Sequence, residues 1–251
     1  MDYDRLITLG AELGRLLMTS GAEIYRVEES VNRLLSAYGL EPQVFAIPNC
    51  LIVSLTTPQG HPVTRMCRIP AHGTDIELLE RCNQLCRRLC QSPPAVEEAQ
   101  SLVDALPQRR VYPAGVVLAG HVLAAAFFAL FLGGGLADGF AAAFCGLAVS
   151  LLMLYGQRLT GSNQFFRTAV CAAAAAGLAL MLVRSGVGNS VEAVTIGTLM
   201  LLVPGISLTN AMREIMGGDV ISGVNRMAEV ILVATAIALG SALPMLVARG
   251  L

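Results

Sequence analysis

The chain has 251 residues, of which 55% are hydrophobic and 14% charged, and its formal net charge is −1. A mean hydropathy of +0.64 is too high for an ordinary water-soluble domain and points to a membrane protein. The balanced charge leaves no electrostatic footprint for a nucleic-acid partner.

Residues 1–110 hold 11 of the 17 basic and 13 of the 18 acidic side chains. The expected fold is therefore bipartite: an N-terminal cytoplasmic α+β domain over 1–110, then an α-helical integral membrane domain over 111–251. The opening MDYDRLITLGAELGRLL is amphipathic and acidic from the start. It lacks the basic start and continuous apolar core of a signal peptide, so the first domain is expected to stay in the cytoplasm. Seven cysteines, an odd number without framework spacing, suit a reducing compartment.

In chain order, Leu6, Leu9, Leu13, Leu16 and Leu17 recur near helical period and predict a helix from Tyr3 to Met18. In SGAE, Ser20 is placed to cap a second helix, with Glu23 closing a capping box. Ile24, Val27, Val31, Leu34 and Tyr38 give that helix one apolar face, and Gly39 ends it. Gln43–Ile47, Leu51–Thr57 and Pro62–Ile69 read as strands. Thr74–Cys90 returns to helix, capped near Thr74 or Asp75, and Pro94–Leu106 is the last helix of this part.

Cys82, Cys86 and Cys90 share one helix face, but the outer two would lie roughly 12 Å apart along it. One zinc ion with Zn–S bonds of about 2.3 Å does not join all three, so a core stripe is expected. His61 beside a turn and His72 in a loop read as solvated. No phosphate-binding glycine–lysine loop and no nucleophile elbow occurs, and neither a cofactor nor a metal is expected.

Five apolar runs follow: Ala114–Gly135, interrupted by His121; Gly139–Gly156; Thr168–Val183; Val191–Met212, interrupted by Pro204-Gly205; and Gly223–Val247. Each suits a hydrocarbon layer about 30 Å thick. With the N-terminal domain inside, Arg109, Arg110, Arg158, Arg167, Arg213 and Arg226 fall on the cytoplasmic side and Arg184 and Arg249 outside. This bias predicts a periplasmic C-terminus. Runs such as CAAAAAGLAL predict close helix packing.

The break at Pro204-Gly205 is the most informative feature. Proline removes a backbone donor and frees carbonyls, which at membrane depth are tolerated where they line a polar cavity. Ser207, Thr209 and Asn210 would supply hydrogen bonds there, and Arg213 a positive charge for a carboxylate. Beyond the Gly217-Gly218-Asp219 turn, Arg226 and Glu229 are three apart on one face, as a functional or a structural ion pair. A kinked helix with an ordinary cytoplasmic arginine is the alternative. His121 reads as a packing residue.

The stretches SGAEIYRVEESVNRLLSAYGL and VPGISLTNAMREIMGGDVISGVNRMAE resemble the threonine/serine exporter family, specifically the larger subunit of its two-component bacterial form. The resemblance runs in order over essentially the whole length. The family's pattern falls on Pro204, Gly205, Asn210, Arg213, Gly218, Asp219, Gly223, Arg226 and Glu229. It implies secondary-active export of a small metabolite across the bacterial inner membrane. Single-chain members have about twice as many spans, so the resemblance also implies a small four- or five-span membrane partner subunit in a hetero-oligomer. For the substrate it implies a C4-dicarboxylate such as succinate, with threonine or serine as the alternative. A membrane-anchored ligand sensor is the competing class, and a membrane hydrolase lacks a nucleophile–base pair.

Overall fold

A computed structural model of the chain describes residues 2–70, 73–107, 112–155 and 163–250. His72, Arg109, Arg110, Arg158 and the expected end of the second span at Gly156 lie outside them. The chain divides into two compact units, one of residues 1–110 with 206–227 and the other of residues 111–205 with 228–251. The segment just beyond the Pro-Gly break thus groups with the N-terminal unit.

In the first unit, α1 (Tyr3–Thr19) is capped by Asp2, whose side chain accepts from the Arg5 N–H. Its five expected leucines are all buried. After the Ser20–Glu23 turn come α2 (Ile24–Ala37), β1 (Pro42–Ile47), β2 (Cys50–Thr56) and β3 (Pro62–Arg68), then α3 (Ile76–Gln91) and α4 (Val96–Asp104). The strands form one antiparallel sheet in the order β1-β2-β3, with Val44 opposite Val53 and Leu51 opposite Cys67. Along β2, Leu51, Val53 and Leu55 alternate inward onto the helices.

Gly14 lets α1 approach β2, because a Cβ there would sit 2.4 Å from Leu51 Cδ2. Cys82 and Cys86 are buried and Cys90 half-buried. Burial pushes the Cys82 thiol up to about 11 and that of Cys86 up to about 12. They therefore stay protonated at neutral pH and pack as small apolar groups.

One local expectation is corrected. Ser20 does not cap α2: its hydroxyl donates to the Leu17 carbonyl. Glu23 occupies the cap position but makes no capping hydrogen bond. Its carboxylate is engaged elsewhere.

The second unit holds α5 (Ala114–Phe131), α6 (Leu136–Tyr155), α7 (Gln164–Arg184), the short α8 (Val191–Leu199) and most of α10 (Val220–Arg249). Between the last two lies α9 (Gly205–Met216). Four helices, α5, α6, α7 and α10, are long and apolar enough to cross a bilayer, so the protein is a helical, multi-pass membrane protein. Phe127, Phe131, Phe140, Leu243 and Val247 are exposed on it, a surface that suits lipid better than water.

The fourth expected span is not one helix. Val191–Met212 divides into α8, nine residues and about 14 Å long, and α9, separated at Met200–Pro204. Pro204 cannot donate and crowds the preceding turn. The chain tightens there, with Leu201 N–H bonded to Thr198 O and Leu202 N–H to Leu199 O.

Small residues set the packing of this unit, with Ala125, Ala129, Ala141, Ala142, Cys145, Ala179 and Val194 forming one core cluster. A Cβ on Gly197 would lie 2.6 Å from the Ala129 backbone nitrogen, so α8 meets α5 backbone to backbone. His121 Nδ1 lies 2.6 Å from Ser150 Oγ, pairing α5 with α6.

Asp138, in the first turn of α6, is buried. Its carboxylate accepts from the backbone N–H groups of Asn189 (2.6 Å), Ser190 (2.8 Å) and Gly135 (2.8 Å). It ties the start of α8 to the start of α6. Asp138→Ala leaves three donors without their acceptor and is expected to cost about 2–3 kcal/mol, read as a lowered Tm in detergent. Asp138→Asn, which keeps one carbonyl oxygen, is expected to lose less.

Candidate functional site

The hairpin of α9 and α10 belongs, over residues 206–227, to the first unit. Gly218 turns it with φ +92°, and the Asp219 carboxylate accepts from the Ser222 N–H at 3.3 Å. Gly223 lets the two helices touch, since a Cβ there would lie 2.9 Å from Ala211 O.

On α9, Asn210, Arg213 and Glu214 are spaced i, i+3, i+4 and share one face. That face meets the turn between α1 and α2. Asn210 Nδ2 donates to Gly21 O at 3.4 Å. Arg213 Nη1 pairs with Glu23 Oε1, and the Ile24 N–H donates to Glu214 Oε1 at 3.3 Å. From α10, Arg226 Nη2 reaches both Glu214 Oε1 at 3.1 Å and Ala22 O at 3.3 Å. Four consecutive residues, Gly21 to Ile24, are thus each bound by a side chain about 190–200 positions away.

The turn is shaped for this. Gly21 has φ +95°, and a Cβ on it would lie 2.7 Å from Gly73 O, so only glycine fits. Its left-handed geometry turns successive carbonyls toward the helices.

Glu23 is buried between Arg213 and Arg26, whose Nε lies 3.4 Å from Oε2. Glu214 is 0% exposed. Its Oε1 takes both donors while Oε2, equally buried, has no hydrogen-bond partner; nor does the buried Ser222 Oγ. Burial pushes the Glu214 carboxyl above the usual carboxylate range, with Asp219 and Glu23 adding to the rise and Arg226 and the Ile24 N–H opposing it.

Of the residues singled out in the sequence, Asn210, Arg213 and Arg226 converge on the turn, and Asp219 holds the hairpin. Ser207 is half-buried and Thr209 exposed on α9; Pro204 and Gly205 group with the second unit. The expected partnership of Arg226 with Glu229 is corrected: Glu229 is exposed and groups with the second unit. Arg226 turns to Glu214, which is buried and offers a stronger, less screened attraction. Glu214 was the residue missed. Its signal was position, since it stands four residues after Asn210 on the same face.

Chemically the cluster sets three carboxylates (Glu23, Glu214, Asp219) among three guanidinium groups (Arg26, Arg213, Arg226). It is charge-balanced, with Glu23 and Glu214 buried and Arg26 and Arg213 half-exposed, and one buried carboxylate oxygen, Glu214 Oε2, has no partner. Among the described residues, no group of three or more His, Cys, Asp or Glu is placed to hold a metal ion.

A family model described as "Putative threonine/serine exporter" matches residues 8–247. A protein of Mycobacterium tuberculosis described as "Probable threonine/serine exporter" is 23% identical over 239 residues. These are 94% of this chain but 45% of that relative, so the chain spans less than half the relative's length. No solved structure matches.

Proposed function

We propose that this chain, which belongs to the threonine/serine exporter family, supplies one part of a secondary-active exporter of small carboxylate metabolites, with threonine and serine as the preferred cargo. The family is one of exporters, so the activity is transport rather than covalent chemistry. The observation that carries the reading is the interrupted fourth segment. A half-length helix, α8, stops at Leu199, and past Pro204 the next helix carries polar residues, an arrangement that transporters use to hold substrates and ions. A mere membrane anchor has no need of it, which is why the sensor reading ranks second.

The preference for an amino acid over succinate comes from the arginines. A dianion asks for two uncommitted cations, and Arg213 and Arg226 each already face a carboxylate of the chain, Glu23 and Glu214. The single carboxylate of threonine or serine is the smaller demand. The curated relative is more than twice as long, and a four- or five-span partner subunit is proposed to work with this chain. Insertion in the bacterial inner membrane, with the first unit in the cytoplasm and the C-terminus outside, completes the proposal.

Proteoliposomes holding the chain and such a partner are expected to exchange labelled threonine. Unlabelled serine should compete and succinate should not. Asn210→Ala, which removes the bond to the Gly21 carbonyl, is expected to slow exchange about fivefold, as the loss of roughly 1 kcal/mol of a positioning hydrogen bond implies. Succinate exchanging in place of threonine would reverse the substrate assignment.

A further inference from the structure

We propose that Glu214 is a proton-binding site: protonated on Oε2 while residues 206–227 are clasped to the α1–α2 turn, with loss of that proton favouring a loosened clasp. The geometry is particular. Both carboxyl oxygens are buried, both donors go to Oε1, and Oε2 faces no donor. A carboxylate offers about four acceptor sites, and a buried anion with one oxygen unserved is costly to maintain. The neutral acid removes that cost, because its proton resides on the unserved oxygen.

The surrounding charges make the two states distinct. Facing Glu214 are Arg226 from α10, Asp219 from the hairpin turn, and Glu23 and the Ile24 N–H from the start of α2. Arg213 and Arg26 are drawn off by Glu23. With Glu214 ionised the cluster sums to zero. A proton from water adds to Oε2, an O–H bond forms, and the cluster carries one net positive charge. Arg226 keeps its own proton, and Oε1 goes on accepting from Arg226 and from the Ile24 N–H in the neutral acid. Loss of that proton leaves Oε2 a buried anion without a donor, a cost that loosening the clasp relieves by admitting water. Residues 206–227 run in sequence from the helix break into the first two turns of α10, so the proton acts on the segment that leads from the one into the other.

Sequence alone hides this, because no neighbouring residue in the chain marks Glu214 as buried.

The linkage has a definite sign. The folded-state carboxyl is raised above its ordinary value of 4.5, so the folded chain binds this proton more tightly than the unfolded one. The stability it contributes is fully present below about 4.5 and is lost as pH rises through the higher folded value. Glu214→Gln is expected to remove that slope.

The test is infrared spectroscopy of the full chain in lipid nanodiscs, titrated across pH. Ordinary glutamates are ionised by about pH 6, yet a protonated carboxyl band is expected to persist there, to vanish at higher pH, and to be absent in E214Q. E28Q is the control, since burial also pushes Glu28 up; it should keep the band. A band retained in E214Q overturns the proposal. So does wild-type protein with no protonated carboxyl at pH 6, whatever the variant does.

A second arm rests on the exporter reading. With the partner present, E214Q is expected to lose at least tenfold of the ratio between efflux driven by a pH gradient and simple counterflow. An unchanged ratio overturns the link between this proton and transport. A band that behaves as expected in a wild-type protein that exchanges nothing would instead leave the proton site standing and remove the exporter reading.

Discussion

Arg226→Met is expected to destabilise the first unit by about 3–5 kcal/mol, because it strands a buried carboxylate. The side chain of Arg226 is 18% exposed and that of Glu214 0%, so little water is available to replace the guanidinium. The substitution also removes the donor to Ala22 O. The informative comparison is the double variant Arg226→Met/Glu214→Leu. With both charges gone, the site is filled by apolar side chains of similar volume, and most of the loss should be recovered. Denaturant unfolding in detergent, followed by the far-UV signal, measures both. A single variant as stable as wild type would mean that Glu214 takes its proton at working pH without help from Arg226. Failure of the double variant to recover would assign the loss to the Ala22 contact.

Gly240→Val is expected to be comparably severe for a steric reason. An added Cβ would lie 2.2 Å from the Ala169 carbonyl oxygen and 2.9 Å from its carbon. Both are backbone atoms of α7 and have no rotamer into which to retreat. Over-packing costs typically 1–3 kcal/mol where side chains can move; here two helices must separate, and the upper end or beyond is expected. The fraction of protein recovered as monodisperse material from membranes, together with its Tm, is the readout. Gly177→Ala is the matched control, since its nearest neighbour atoms, in Pro244, stand 3.8 Å away. Equal behaviour of the two variants would refute the close approach of α10 to α7.

Much of the first unit was legible because its signals are local. The leucines of α1 and the Ile24–Val27–Val31–Leu34 stripe of α2 follow the helical period, and alternation with turn residues placed each strand to within a residue or so. The cysteine stripe was legible too, because spacing alone rules out a shared metal ion. The long apolar helices announce themselves by length.

What was not legible depends on partners far away in sequence. Glu23 has the spacing of a capping-box residue, and nothing nearby says that its carboxylate belongs to Arg213. Arg226 has an obvious neighbour in Glu229, one helical turn on, yet Glu214 wins because burial strengthens the attraction. Pro204 marks a break, but an apolar run with a kink and an apolar run divided into two helices have the same composition. Only the packing of α8 by Gly197 and Ala129 separates them. The clasp joins two motifs that the sequence offered separately, and their meeting could be seen only in three dimensions.

Counterflow of labelled threonine in ATP-free proteoliposomes, with the chain and a candidate partner inserted together, bears most directly on whether this protein is part of a secondary exporter. Saturable exchange competed by serine, and weakened by Asn210→Ala, is the expected result. Correctly inserted protein that exchanges neither threonine, serine nor succinate would contradict it, and would leave the break at Pro204 as a kink in a sensor's anchor.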